Sequence, residues 1–490
     1  VSALPAFALP GATGIPVRLD LAGAGARSIA FLFDLLVRAS LATVWYLAAA
    51  LLFNLAQGRS GLAAPLQSDP RWFMLVLLPA GALFLLYHPV LEIALRGVTP
   101  GKRLVGLRIV DRDGRVPGAS ALALRNMFRV IDSLPLFYGV GLAAVLLTRE
   151  QSRVGDIAAG TLVVYDRDPD ANASPFRPML TRLGALLRGD AGGFDAALAI
   201  AADYRRVAAA VALARHDATA AGDRDALEAI YARLHRELDC AQPGPRAAFG
   251  MLLRDDLPAS AARVAPQLWV VTALFAAAAA AGAWLVTSRP ELARLFASAE
   301  MIGTVERGRL WTEGLFNVMP SSVLSVQVLT NNIAVSLFTY CAGLLFGLGT
   351  FYIVGLNGLM LGSIFAFTTA NGLGLELFEF VVAHGPVEIA CLCLSGAAGA
   401  AVGGSLVRPG DASRRDAFAA AAHATLPLMT AVVLLLLGCG VIEGYVSPNP
   451  RIPLAVRIAI GAGYFVFMIA LLRGWLFSWR GSDAARAQEP

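Results

Sequence analysis

His384 and Glu388 stand four positions apart in VVAHGPVEIACLCL, an apolar stretch that runs from Val381 to Leu394. On a helix that spacing puts both side chains on one face, within hydrogen-bonding reach. Imidazole changes charge near neutral pH and a neighbouring carboxylate tunes where it does so, which is the chemistry of a proton or ion relay. The same pair can also be a buried polar clamp that holds helix ends together. Two ligands on one helix could bind a metal, but beyond Glu376 and Glu379 the chain offers no obvious third ligand, so neither a metal nor another cofactor is expected. Glu443, in VIEGYV, falls at the expected outer end of its span, where it can reach interfacial water. Asn331, Asn332 and Asn357 can bond across helices or line a pore.

A second set of ionisable residues lies in the first third of the chain. Arg27 and Asp34 are seven positions apart, close to two helical turns, and project from one face. Arg27 can snorkel to the interface, whereas Asp34 lies deeper in the span and needs a partner. Asp132 and Asp156 are further acids of the same block. Together these groups can form an ion-pair network that fixes packing, or an ion or proton pathway.

The elements that must position these residues are set by composition. Of 490 residues, 57% are hydrophobic and 15% charged, and the mean hydropathy is +0.64, far more apolar than a soluble domain. The fold class expected is therefore an all-α polytopic membrane protein. About eight transmembrane helices are read at 29–55, 72–95, 267–287, 325–350, 352–371, 382–407, 424–443 and 456–476. A closed barrel would show short alternating strands instead. Residues 1–25 carry Pro5, Pro10 and Pro16 and lack the pattern of a cleavable signal peptide. Cys341, Cys391, Cys393 and Cys439 fall inside spans and Cys240 in the polar middle, without zinc-ligand spacing, so they read as buried thiols.

Three blocks follow: 1–165 with two spans, 166–263, polar and Ala/Arg-rich, and 264–480 with six spans, before a tail at 481–490. Arg96, Lys102, Arg103, Arg108, Arg112, Arg115, Arg125 and Arg129 place the region after the second span in the cytoplasm. By the same rule both termini are cytoplasmic, and the location expected is the cytoplasmic (inner) membrane. Two strand candidates, Arg103–Val110 and Gly160–Tyr165, would form a small cytoplasmic β-sheet. If they share a sheet, the short apolar segment 134–147 between them cannot be a single crossing. Residues 119–148 are then re-entrant or interfacial, the alternative being an ordinary third span. The middle block opens with a linker, Asp166–Pro178, and has helical spacing over Phe194–Arg215 and Arg224–Leu238. It reads as a small cytoplasmic helical domain or a docking element. Ser288–Ser322 is expected as a helix on the outer surface.

The order GARSIAFLFDLLVR, TPGKRLVGLRIVDRDG, VGDIAAGTLVV resembles the RDD family of membrane domains, named for an arginine and two aspartates, over about residues 20–166. Arg27 and Asp34 match the first two, and the third is Asp156 or, as the second choice, Asp132. The family's function is poorly defined, with transport suggested for some members. Thr330–Gly362, Ala383–Gly403 and Val441–Pro453, with NN, NG, HG-x-x-E and IE motifs in order, resemble the stage II sporulation protein M family over most of 264–480. That resemblance implies a component of an envelope machine that remodels peptidoglycan.

No phosphate-binding loop, nucleophile elbow or redox motif is visible, so no enzyme activity is expected. Two functions are carried forward: a transporter or channel for a small ion or solute, and a non-catalytic membrane scaffold of an envelope-remodelling machine. A polar cavity reaching Glu388 would favour the first, and a dry, fully paired cluster the second. Partners expected are membrane lipids, envelope-machine proteins and, because Gly343, Gly347, Gly349 and the run Ser395–Gly404 permit close helix approach, a second copy in a homodimer. A net charge of +5 speaks to topology, and no nucleic-acid partner is expected.

Overall fold

The computed structural model describes residues 6–10, 14–59, 61, 70–134, 139–166, 194–216, 227–232, 235, 249–311, 321–449 and 451–477. Its contacts divide the chain into two compact units, 1–40 with 84–243 and 41–83 with 244–490. Cys240, the tail 481–490, most of the linker (167–178), much of 224–238 and the part 312–320 of the expected outer helix lie outside the described residues.

In the first unit, strands β1 (Ala6–Leu9) and β2 (Val17–Asp20) pair antiparallel, with Ala6 opposite Asp20. This hairpin was not anticipated from the proline-bearing terminus. Pro10 and Pro16 flank the strands and take no ladder position, which is where a strand tolerates proline. Helix α1 (Ala24–Ala56) follows, and its residues up to 40 belong to this unit. Helix α2 (Leu78–Ala94) contributes its second half.

The strand expected at 103–110 starts late. Thr99 caps a short helix, α3 (Pro100–Leu104), by accepting from the Lys102 amide at 3.3 Å, with Pro100 in the first turn. These start signals override the alternation that suggested a strand. β3 then runs over Leu107–Asp111 and pairs antiparallel with β4 (Thr161–Tyr165), Leu107 opposite Tyr165.

Between β3 and β4 lie α4 (Ala119–Met127), α5 (Arg129–Asp132), α6 (Gly139–Leu147) and α7 (Val154–Ala159). At about 1.5 Å per residue, α6 is roughly 13 Å long, well short of a hydrocarbon core of about 30 Å. Because β3 and β4 share a ladder, the segment between them starts and ends at one small sheet. Helix α8 (Phe194–His216) lays Tyr204, Val207, Ala208 and Val211 on Leu19, Val110, Leu162 and Val164 of the strands, so the middle block shares a core with the β-structure.

The second unit holds α9 (Leu257–Arg263), α10 (Ala265–Ser288), α11 (Ala299–Glu306), α12 (Ser321–Cys341), α13 (Leu348–Ala370), α14 (Gly374–Val381), α15 (Gly385–Val407), α16 (Arg414–Tyr445) and α17 (Leu454–Leu472). Among the described residues, seven helices of the chain are long and apolar enough to cross a membrane: α1, Met74–Ala94, α10, α13, α15, α16 and α17. With two small sheets beside them, this is a polytopic helical membrane protein. The remaining stretch read as a span, 325–350, contains α12, a 3-10 turn at Ala342–Leu344, and the start of α13. The boundary moves because Phe346 and Gly347 both take positive φ, at 55° and 86°, and reverse the chain before Leu348.

Helices α15 and α16 are the buried centre of this unit, and α10 packs along α13. Backbone meets backbone at these crossings. A Cβ on Gly282 would run into the Leu359 carbonyl, one on Gly362 into Ala279, and one on Gly343 into Gly399. The small residues read as permitting close approach therefore make it within this chain.

Candidate functional site

In the second unit, His384 caps the start of α15 and is 3% exposed. Its Nδ1 lies 3.0 Å from the Ser447 hydroxyl, which fixes the ring. Its Nε2 is thereby turned toward two carboxylates, at 3.8 Å from Glu388 Oε2 and 4.0 Å from Glu443 Oε1. Phe380 closes the cluster with its ring edge-on to the imidazole at 5.7 Å. The sequence places His384 and Glu388 on one turn, whereas Glu443 arrives at the end of α16. Expected to reach interfacial water, Glu443 is instead 8% exposed, because the last turn of α16 packs inward, and its Oε2 is buried without a hydrogen-bond partner. One ligand atom from each of the three lies within 4.8 Å of the others, a set that could hold a metal ion. The third ligand that the local sequence lacks is thus supplied from another helix.

Glu388 also lines a cavity of about 120 Å³. Asn331, Asn332 and Ser336 of α12 and Asn357 of α13 supply its other polar groups, and Phe275, Leu361, Leu392 and Leu436 are among its apolar walls. Among the described residues, the bonds of Asn331, Asn332 and Asn357 are local. Asn357 donates to the Ile353 carbonyl of its own helix at 2.8 Å, and Asn331 faces Asn332 at 3.5 Å. Amides satisfied locally leave their remaining polar groups available to the cavity.

The first unit has a different character. Asp156 is fully buried and takes Arg27 Nη1 at 2.6 Å, Arg125 Nη1 at 2.5 Å and Arg153 Nε at 3.3 Å. Burial alone would raise its carboxyl, but the three guanidinium groups outweigh it and hold the pKa below the usual carboxylate range. Asp132 accepts from the Val154 and Gly155 amides at 3.1 and 3.3 Å and faces Arg153 at 3.6 Å. Burial raises its pKa against the pull of Arg153. Asp34 does not pair with Arg27. It accepts from Tyr87 at 2.9 Å, from Thr99 at 2.5 Å and from the Gly101 amide at 2.8 Å, a contact that Gly101 permits because a Cβ there would meet Ala30 and Asp34.

A further buried acid, Glu92 on α2, takes Lys102 at 2.7 Å, Asn126 at 2.8 Å, Arg129 at 3.4 Å and Arg125 at 3.5 Å. Burial pushes the Lys102 amine down to about 8, with Glu92 opposing the shift. Burial likewise lowers Arg125 to about 10.

Compared with known proteins, residues 21–160 match the RDD family and residues 271–448 match the family described as stage II sporulation protein M. The chain joins an RDD domain to a stage II sporulation protein M domain. "Uncharacterized protein YckC" of Bacillus subtilis (strain 168) is 39% identical over 89 residues, 16% of this chain and 56% of that protein. The chain therefore spans little more than half the length of that relative. No solved structure matches.

In the RDD domain, the arginine meets Asp156 and not Asp132, and the first aspartate stands apart with hydroxyl and amide partners. Sequence reasoning missed Glu92, His88 and Tyr87 there. Glu92 and His88 sit inside an apolar stretch, so the cost of intramembrane ionisable groups was a signal at hand. In the second unit it missed Arg457, which donates to the carbonyls of Glu379, Asn449 and Ile452 and so clamps helix ends. The four described cysteines, Cys341, Cys391, Cys393 and Cys439, are buried.

Proposed function

We propose that the protein is a non-enzymatic transporter or channel for a small cation, acting through the stage II sporulation protein M domain. One observation carries this reading: the cavity is lined by Asn331, Asn332, Asn357 and Glu388, and Glu388 stands 3.8 Å from His384, which in turn stands 4.0 Å from Glu443. A volume near 120 Å³ is room for a few waters or one partly hydrated ion, at roughly 30 Å³ per water. Two carboxylates favour a cation over an anion, and amide oxygens are ligands for one. On this reading the protein lies in an inner membrane with both termini cytoplasmic, which the basic residues after the second span support under the positive-inside rule.

Reconstituted liposomes test it. Flux of Na⁺, K⁺, H⁺ or a divalent transition ion from the intact chain should be lost in Glu388→Gln and kept in Glu306→Gln, an exposed acid. No flux of any of these from well-folded intact protein would turn the assignment to the scaffold. That second reading draws on the RDD domain, where Asp156, Glu92 and Asp34 are fully hydrogen-bonded and serve packing.

A further inference from the structure

The RDD domain contains a larger pocket, of about 530 Å³, that shares no residue with the cavity at Glu388. Its polar lining is one-sided. Arg27, Arg38, Lys102, Arg125, Arg129 and Arg153 face it, and Asp34, already engaged by three donors, is the single carboxylate among its lining residues. The other acids, Glu92, Asp132 and Asp156, lie behind the guanidinium groups and are absent from the lining. The wall thus presents net positive charge.

Not all of that donor capacity is used. Arg38 stacks over Phe84 at 4.3 Å and Phe31 at 5.7 Å, and its Nε is buried without a hydrogen-bond partner. Arg27 spends Nη1 on Asp156 and Nε on the Ala22 carbonyl, while its Nη2 is buried without a hydrogen-bond partner. His88 is 2% exposed and neither ring nitrogen has a partner, although the ring stacks on Phe31. Buried polar groups are ordinarily satisfied, so these three ask for an acceptor-rich guest.

The remainder of the pocket is apolar. Phe31, Leu35 and Val145 form its wall, and Leu32 of α1 and Leu142 of α6, 60% and 47% exposed, stand at its edge. A soluble anion has no use for such a wall, whereas an amphiphile covers it. Basic pockets at one end of membrane helices, with acyl-sized apolar flanks, suit the headgroups of anionic lipids.

We propose that this pocket binds an anionic phospholipid, its phosphate taking hydrogen bonds from Arg38, Arg27 and His88 and an acyl chain lying along Phe31, Leu35 and Leu142. The geometry makes the RDD domain a lipid-responsive element, independent of whether the other domain transports anything.

Native mass spectrometry of the full chain in detergent tests it, using phosphatidylglycerol, phosphatidylcholine with the same acyl chains, and inorganic phosphate. Phosphatidylglycerol should be retained over phosphatidylcholine. Arg38→Gln should weaken it roughly tenfold, as loss of a charge-assisted hydrogen bond does, with Arg38→Lys restoring part of the preference. Arg59→Gln, an exposed arginine outside the pocket, should leave it unchanged. Leu142→Trp, which alters no charge and no ion pair, should also reduce retention by filling the apolar edge. Equal retention of the two lipids, or retention indifferent to both Arg38→Gln and Leu142→Trp, would overturn the proposal. Displacement of the lipid by inorganic phosphate would overturn it in favour of a soluble anion.

Discussion

Asp156 is held by three guanidinium groups in a site without solvent exposure, so removing its charge leaves like charges buried together. Asp156→Asn is expected to cost about 3–5 kcal/mol, the usual result of breaking one side of a buried ion pair. Asp34→Asn should cost less, about 1–3 kcal/mol, because its partners are neutral donors and an amide oxygen still accepts from two of them. Thermal unfolding of both variants in one detergent checks the order, and equal losses would refute the distinction drawn between a charged hub and a neutral one. At this scale the sequence was informative about kind and silent about partner. Arg27, Asp34 and Asp156 stand out as ionisable groups in apolar surroundings. That Arg27 chooses Asp156 depends on α7 meeting α1, and that Lys102, Asn126 and Arg129 converge on Glu92 depends on α3, α4 and α5 folding back on α2.

Helix α13 meets α10 at Gly362 and Gly358, where an added Cβ would strike the Ala279 and Phe275 carbonyls. Gly355 lies on the same helix and has nothing within 4 Å of a built Cβ. Gly362→Val should therefore separate the helices and collapse the yield of folded protein, while Gly355→Ala should be neutral or stabilising by up to about 1 kcal/mol from helix propensity. Size-exclusion profiles of the two variants decide it, and a monodisperse Gly362→Val would show that the crossing tolerates a gap. Periodicity and hydropathy located these helices within a few residues. They missed the β1–β2 hairpin and began the strand at 103–110 too early, because local cues such as Thr99-Pro100 act over three or four residues and outcompete a weak alternation.

At the scale of the whole molecule, β3 pairs with β4, so the segment between them starts and ends at one sheet, and the re-entrant reading of 119–148 predicts that both of its ends face one side of the bilayer. Cysteines introduced at Asp113 and Arg149, both exposed, in a background without the native thiols, should react with a membrane-impermeant maleimide from the same side. Labelling from opposite sides would mean that 134–147 crosses. The sequence by itself determined the class, the approximate spans and the identity of two joined domains, since hydrophobic length and local motifs are properties of contiguous residues. Tertiary structure alone decided that Glu443 joins His384 and Glu388, that three asparagines from two helices share a cavity with Glu388, and that six basic side chains turn one face to a single pocket. These sites are built by helices packing at angles set by glycine contacts and buried ion pairs. Their members are distant in sequence, and no periodicity along the chain records which faces meet.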